Sequence, residues 1–321
     1  MVWTVYSGTT REATLVFEGI HTVLYAFFGP DGALDRAAMR RQAEACVAGG
    51  CHGVVVLGLA TEVSKLSAAE RQAVVGWAVD DIGGRVPLGA TIFGRSPAEQ
   101  IEAVRQAETA GAAWVILQPP PEPGMPEAAL MRFFGPVIER ARIPVALQNA
   151  PEFMGLGLST ENLSRMCRDH ANLAALKAEG PSTLVQRVVD ATDGRVAVLN
   201  GRGGLELPDN LRAGASGIVP APDCFDGLAE VYARMKAGDG AGADRLYAAL
   251  LPAVVFAMQG VDHLVCYGKR IVAERLGLGP VHDRAPCLAP TAFGMGVASR
   301  YAAALGPYRG VTPPGTPAAP R

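Results

Sequence analysis

Between Gly19 and Pro220, short apolar runs alternate eight times with amphipathic helical stretches, and this rhythm limits the fold more than any other feature of the chain. Runs such as Gly53–Leu59 and Leu173–Ala178 are short and apolar at nearly every position. A strand with one face in water alternates apolar and polar residues, so these runs read as strands covered on both faces. Such strands belong to parallel sheets with crossover helices. The spacing predicts eight of them, over Gly19–Phe27, Gly53–Leu59, Pro87–Ile92, Ala113–Gln118, Pro144–Gln148, Leu173–Ala178, Arg195–Asn200 and Gly217–Pro220. Helix starts lie between them: Asp35 as a cap, Ser67-Ala68-Ala69-Glu70 as a capping box, and Ser96-Pro97 with proline at the first helical position. Eight such units fit a closed (β/α)8 barrel, the TIM barrel of the α/β class, better than an open sheet.

After Pro222 only helical patterns follow, over Asp226–Gly238, Ala241–Gly260, Val261–Leu276 and Pro290–Leu305. The expected organisation is an N-terminal extension (1–16), the barrel (17–224), a C-terminal helical region (225–305) and a Pro/Gly-rich disordered tail (306–321). The run Leu246–Met258 is apolar enough to be buried against the barrel or another subunit.

Charge is balanced, with 29 Lys+Arg against 31 Asp+Glu, and no block of one sign occurs. This argues against a nucleic-acid stripe or a basic membrane face and leaves a small molecule as the default partner. The six cysteines form no CxxC pair and the five histidines no HxH or HExxH set, so no metal and no cofactor is expected from local motifs. The first residues lack a basic segment followed by an apolar run, and no uninterrupted apolar stretch of about 20 residues occurs, so the expected location is cytoplasmic.

Barrel enzymes carry their chemistry on the loops at the C-terminal ends of the strands. There the chain places Ala60, Thr61 and Glu62, then Gln148 and Asn149, then Lys177 and Glu179, then Gly201 and Arg202. Alternation sets Lys177 and Glu179 on one face of a segment otherwise made of Ala and Leu. A desolvated lysine loses its proton more easily, and a neutral amine attacks carbonyls, so Lys177 is a candidate Schiff-base lysine. From spacing alone, a buried ion pair with no chemistry is the competing reading.

Gly58-Leu59-Ala60-Thr61-Glu62 followed by Leu66-Ser67 and Glu70-Arg71 resembles the GTTGE…LS…ER signature of the dihydrodipicolinate synthase/N-acetylneuraminate lyase family. Leu176-Lys177-Ala178-Glu179 resembles its GIK strand, Asn149-Ala150-Pro151 with Gly155 its YNxPxxxG segment, Gly201–Gly204 its sGdd loop, and Gly32–Asp35 its dGxiD. The resemblance spans about residues 17–300. It implies a barrel, a Schiff-base lysine at Lys177, no cofactor, and a homotetramer built as a dimer of dimers, or a homodimer. Several positions depart from that pattern. The family's proton-relay tyrosine falls at Gln148, and the small hydroxyl residues that hold a keto-acid carboxylate fall at Leu59 and Ala60. The aromatic pair after the fourth strand falls at Pro120-Pro121, and the arginine for a second carboxylate falls at Phe153. An amide does not shuttle protons as a phenol does, which argues against dihydrodipicolinate synthase and sialic-acid lyase activity.

The expected function is a class I lyase, an aldolase or hydro-lyase, acting on a 2-oxo acid or related carbonyl compound through Lys177. Glu179 is either the proton carrier or the ionic partner of Lys177, and Gln148 orients a water or a carbonyl. Arg202 and Thr61 are candidates to hold the carboxylate, with Ala60 and Gly201 beside them. Glu62 is expected to hold its loop, and Lys65 to face solvent. The alternatives are a non-catalytic ligand-binding relative and an imine-dependent deaminase or dehydratase of a cyclic or sugar-derived acid.

Overall fold

The computed structural model describes the backbone of residues 2–6 and 12–311, and side chains from Phe17 to Val311. The strands β1 (Val2–Tyr6) and β2 (Glu12–Val16) pair antiparallel, a hairpin within the stretch expected only to be an extension. The next eight strands close into one parallel barrel: β3 (Gly19–Val23), β4 (Gly53–Val56), β5 (Leu88–Ile92), β6 (Trp114–Leu117), β7 (Val145–Asn149), β8 (Leu173–Ala178), β9 (Ala197–Asn200) and β10 (Gly217–Ile218). Strand β10 pairs with both β9 and β3, which makes the seam. The expected α/β barrel is present. The strands are shorter than the apolar runs that announced them because the runs continue into buried loops: Leu24 to Phe28 are all buried beyond β3.

The caps form as the sequence dictates. Asp35 accepts from the Ala38 amide, and Ser67 and Glu70 close a reciprocal capping box. At the seam, glycine is required. A Cβ on Gly217 would collide with the backbone of Gly19, so only a residue without one lets β10 approach β3. The N-terminal floor of the barrel is plugged by Phe17, His21 and Trp114, whose rings meet edge to face.

Four longer helices follow the barrel. Phe225–Lys236 and Gly240–Ala257 pack on each other, Lys269–Leu276 packs on Ala292–Leu305, and a wide π turn over Leu264–Gly268 precedes Lys269. The sequence suggested one unbroken helix over Val261–Leu276; the π turn interrupts it where Gly268 lies against the Tyr25 hydroxyl, a contact that admits no side chain. Gly240–Ala257 is long and apolar enough to cross a bilayer, with mean hydropathy 1.2, yet it buries Tyr247, Leu250, Ala253 and Val254 inside the protein. Of the Pro/Gly-rich stretch expected to be disordered, Gly306–Val311 is described and is docked: Tyr308 is buried, donates to the Pro222 carbonyl and lies under the Arg275 guanidinium. Residues 312–321 of that expectation lie outside the described residues.

Candidate active site

The barrel register assembles the centre. Residues paired across a parallel ladder point to the same side, and Gln148 pairs with Lys177. Glu179, two residues beyond Lys177 and just past the end of β8, returns to that side. Its Oε1 accepts from the Lys177 ammonium and from Gln148 Nε2 at 2.7 Å, while its Oε2 accepts from the Arg202 amide at 3.2 Å. Lys177 is 8% exposed and Glu179 5%. Asn200, at the end of β9, holds the neighbouring loops by donating to the Gly180 carbonyl and accepting from the Gly201 amide.

Strained backbone concentrates at the same end of the barrel. Five described non-glycine residues have positive φ, and four lie in two βα loops: Leu57 and Glu62 after β4, Arg202 and Glu206 after β9. The Arg202 side chain is largely buried, with Nη1 3.3 Å from Glu206 and Nε 3.4 Å from Glu152, and its Nε makes no hydrogen bond among the described residues. Two carboxylates thus face the guanidinium, and its Nε keeps a donor free for a further acceptor.

These groups line an inner cavity of about 50 Å³ with Leu59, Ala60, Thr91 and Ile116 from the barrel. Phe153, from the short turn Pro151–Met154, and Met258, Val261 and Leu264 complete its walls. Thus the helices after the barrel reach the site. Nothing local in their sequence marks them, because the contact joins residues about eighty positions from Lys177.

Of the expected site residues, the structure brings Lys177, Glu179, Gln148, Arg202 and Ala60 to this cavity. Thr61 is not among its walls, and this corrects the expectation of a free hydroxyl: Thr61 is fully buried and donates to the Leu24 carbonyl at 2.6 Å. Gly201 lies behind the site, where a Cβ would strike the Glu179 carboxylate; its place is to let that carboxylate approach. Lys65 does not face solvent as expected, but donates to Glu62 at 2.5 Å and to the Arg284 carbonyl at 3.0 Å. Glu62 also accepts from Lys269, whose ammonium is wholly buried and whose pKa burial pushes down, partly offset by Glu62.

Lys269 gave no local signal, because its partner is 207 positions away. Arg284 lies in the strap, the segment between the helices Lys269–Leu276 and Ala292–Leu305, which meets this loop at Lys65. It pairs with Glu70, donates to the Gly32 carbonyl and stacks over Phe28 at 4.2 Å.

Comparison with known proteins accords with this geometry. The family model of the dihydrodipicolinate synthetase family matches residues 16–287. A 4-hydroxy-tetrahydrodipicolinate synthase of Sorangium cellulosum is 34% identical over 246 residues, covering 74% of this chain and 80% of that one. One from Stenotrophomonas maltophilia is 32% identical over 202 residues, 63% of this chain and 67% of that one. Among solved structures, a candidate dihydrodipicolinate synthetase of Pseudomonas aeruginosa superposes with a TM-score of 0.85 at 26% identity, covering 90% of this chain and all of that one. With its matched length, closed barrel and helical C-terminus, the chain belongs to the dihydrodipicolinate synthetase family.

Proposed function

We propose that the protein is a class I lyase that forms a Schiff base between Lys177 and a small 2-oxo acid, and that its reaction is not that of dihydrodipicolinate synthase. The observation that carries this reading is the buried Lys177–Glu179 contact at the C-terminal mouth of a barrel, within a cavity that Arg202 also lines. Glu179 is placed to take the ammonium proton and so free the amine for attack on the carbonyl carbon. The same proton then leaves with the carbinolamine oxygen as water, and the protonated imine remains. That imine withdraws the electron pair when a proton is lost, or a C–C bond broken, at the adjacent carbon. Glu179 takes and returns that proton, while Gln148 holds its carboxylate from one side and the Arg202 amide from the other. The Arg202 guanidinium, whose Nε makes no hydrogen bond among the described residues, turns from Glu152 to hold the substrate carboxylate beside Ala60. The position of Gln148 beside Lys177, where relatives are read to carry a tyrosine, supports a different proton route from theirs.

Borohydride reduction tests the reading: the protein is incubated with pyruvate, 2-oxobutyrate or longer 2-oxo acids, reduced, and weighed intact. A single adduct is expected that disappears in Lys177→Ala. Absence of any adduct, or an adduct that survives the substitution, refutes it. A non-catalytic binding role is the second reading, and Gln148, an amide beside Lys177 where a phenol would relay protons, favours it. Thermal stabilisation by an oxo acid with no reducible adduct would select that role. Exposed Val255, Leu288, Phe293 and Met295 support self-association, for which sedimentation is the measurement.

A further inference from the structure

An outer chamber of about 270 Å³ adjoins the cavity of Lys177, and the two share Leu59, Phe153 and Val261. Two cysteines line it from opposite segments, Cys266 from the π turn and Cys287 from the strap. The proposed reaction uses neither thiol. The other four cysteines are buried. Burial pushes their thiols up, those of Cys51 and Cys167 to about 12, so they stay protonated and inert.

The strap is held at two points, and both lead back to Cys266 and its neighbour. At the first, Arg270 donates to the Cys266 carbonyl at 2.7 Å and pairs with Asp283 of the strap at 2.6 Å. Its Nη1 also lies 3.8 Å from the Cys266 sulfur. Next to Asp283, Arg284 is tied to Gly32, Lys65 and Glu70. At the second point, the Thr291 amide donates to the hydroxyl of Tyr267, the residue after Cys266, at 3.0 Å. Between these anchors, residues 285–290 are exposed, and among the described residues no hydrogen bond ties them to the rest of the chain. Cys287 sits within this untied bow. A disulfide needs the two Cα atoms within about 7 Å. Each residue of the bow spans up to about 3.5 Å, so the bow can shift Cys287 toward the π turn without breaking a hydrogen bond.

We infer that Cys287 and Cys266 are a peroxide-sensitive thiol pair, and that their disulfide fastens the strap across the outer chamber. This modification site goes beyond the Schiff-base reading and does not depend on it. Exposure assigns the order of events. Cys287 is exposed, whereas Cys266 is 2% exposed and its thiol is pushed up by burial, an effect Arg270 partly offsets. The Cys287 thiolate attacks one oxygen of hydrogen peroxide, the O–O bond breaks, and the departing hydroxide takes a proton to leave as water. The Cys266 thiol then gives up its proton, beside the Arg270 guanidinium, and its sulfur displaces hydroxide from the Cys287 sulfenic acid. That hydroxide leaves as the second water. Two thiols are oxidised to one disulfide and one peroxide is reduced to two waters. The link draws Leu288, next to Cys287 and also a wall of the chamber, toward the π turn.

The test treats the reduced full chain with hydrogen peroxide, blocks the remaining thiols, and maps the peptides by mass. One linked peptide joining Cys266 to Cys287 is expected, lost again with dithiothreitol. Cys287→Ser, a change at an exposed residue, should abolish the link and leave Cys266 a free thiol under the same treatment. In Cys266→Ala, Cys287 should stall as a sulfenic acid that dimedone captures; if this variant does not fold, Cys287→Ser carries the test. No link, or one that joins any other pair such as Cys46 and Cys51, overturns the proposal. Closure of the chamber is read separately, by the rate of borohydride trapping of pyruvate. Oxidised protein should be trapped several-fold more slowly than reduced protein and recover with dithiothreitol. Equal rates overturn the closure. No adduct in either form refutes the Schiff-base reading, and the thiol pair then stands or falls on its link.

Discussion

Replacing Glu62 by glutamine isolates what the loop after β4 depends on. Glu62 sits in the left-handed region with φ 56° and receives two ammonium groups, from Lys65 and from the wholly buried Lys269. Glutamine keeps the side-chain length and the backbone demand and removes only the charge. Lys65 is partly exposed and can turn to water, whereas Lys269 keeps the Phe28 ring, 5.3 Å from its nitrogen, and the more distant charge of Asp283. Breaking one side of a buried pair costs about 3–5 kcal/mol. The glutamine oxygen still accepts one hydrogen bond, which restores about 1 kcal/mol. A loss of about 2–4 kcal/mol at pH 7 follows. The loss is bounded, because Lys269 can shed its proton rather than stay charged and buried without a partner.

The pH dependence identifies the cause. In the folded protein the Lys269 pKa is already lowered, and the substitution lowers it further. A lysine with a depressed folded pKa opposes folding at every pH below that value. The opposition fades as pH rises from the folded pKa to the unfolded one, near 10.4, where the unfolded chain loses the proton as well. Urea unfolding of wild type and Glu62→Gln at pH 7 and pH 10 should therefore show a deficit that shrinks at the higher pH. A deficit below about 1 kcal/mol, or one equal at both pH values, refutes the assignment to an unpaired Lys269.

Glu179→Gln is expected to form the reducible Lys177 adduct more slowly and to lower turnover by about 10²–10⁴-fold, as removal of a positioned proton carrier does; normal turnover in this variant would exclude Glu179 from proton transfer. His21 is fully buried with its pKa lowered to about 4, chiefly by desolvation and secondarily by His52. Neutral His21 is the folded form, so its contribution is complete above about pH 6.5 and is lost as pH falls from there through about 4, by up to about 3 kcal/mol. The slope of stability against pH in that window should flatten in His21→Gln, and an unchanged slope would assign the acid sensitivity elsewhere. Gly217→Ala drives a Cβ into the Gly19 backbone at the barrel seam and should cost at least about 3 kcal/mol or prevent folding, read as a lost or shifted thermal transition.

Much of the barrel was legible because its signals are local. The doubly buried strands read as continuous apolar runs, and Asp35, Ser67 and Ser96 cap helices through contacts three residues away. The pairing of Lys177 with Glu179 was legible for the same reason, since alternation places i and i+2 on one side. Thr61 was misjudged because its hydroxyl is consumed by Leu24, a partner 37 positions away in sequence. Lys65 was misjudged because the strap that receives it arrives 219 positions later. The π turn at Leu264–Gly268 was hidden because helical periodicity reports an amphipathic face but not a single widened turn.

What the sequence determined by itself is therefore the class of fold, the order of its elements and the amine at the end of β8. These rest on period-two and period-3.6 patterns and on side chains that cap their own backbone. Only the tertiary structure decided which polar groups remain free for a ligand. Thr61, Glu62 and Lys65 are spent on distant partners, whereas Arg202 Nε and Gln118 Nε2 have no hydrogen-bond partner among the described residues at the cavity walls. The physical reason is that a polar group's availability depends on every acceptor and donor that folding brings within about 3 Å of it, and those come from anywhere in the chain.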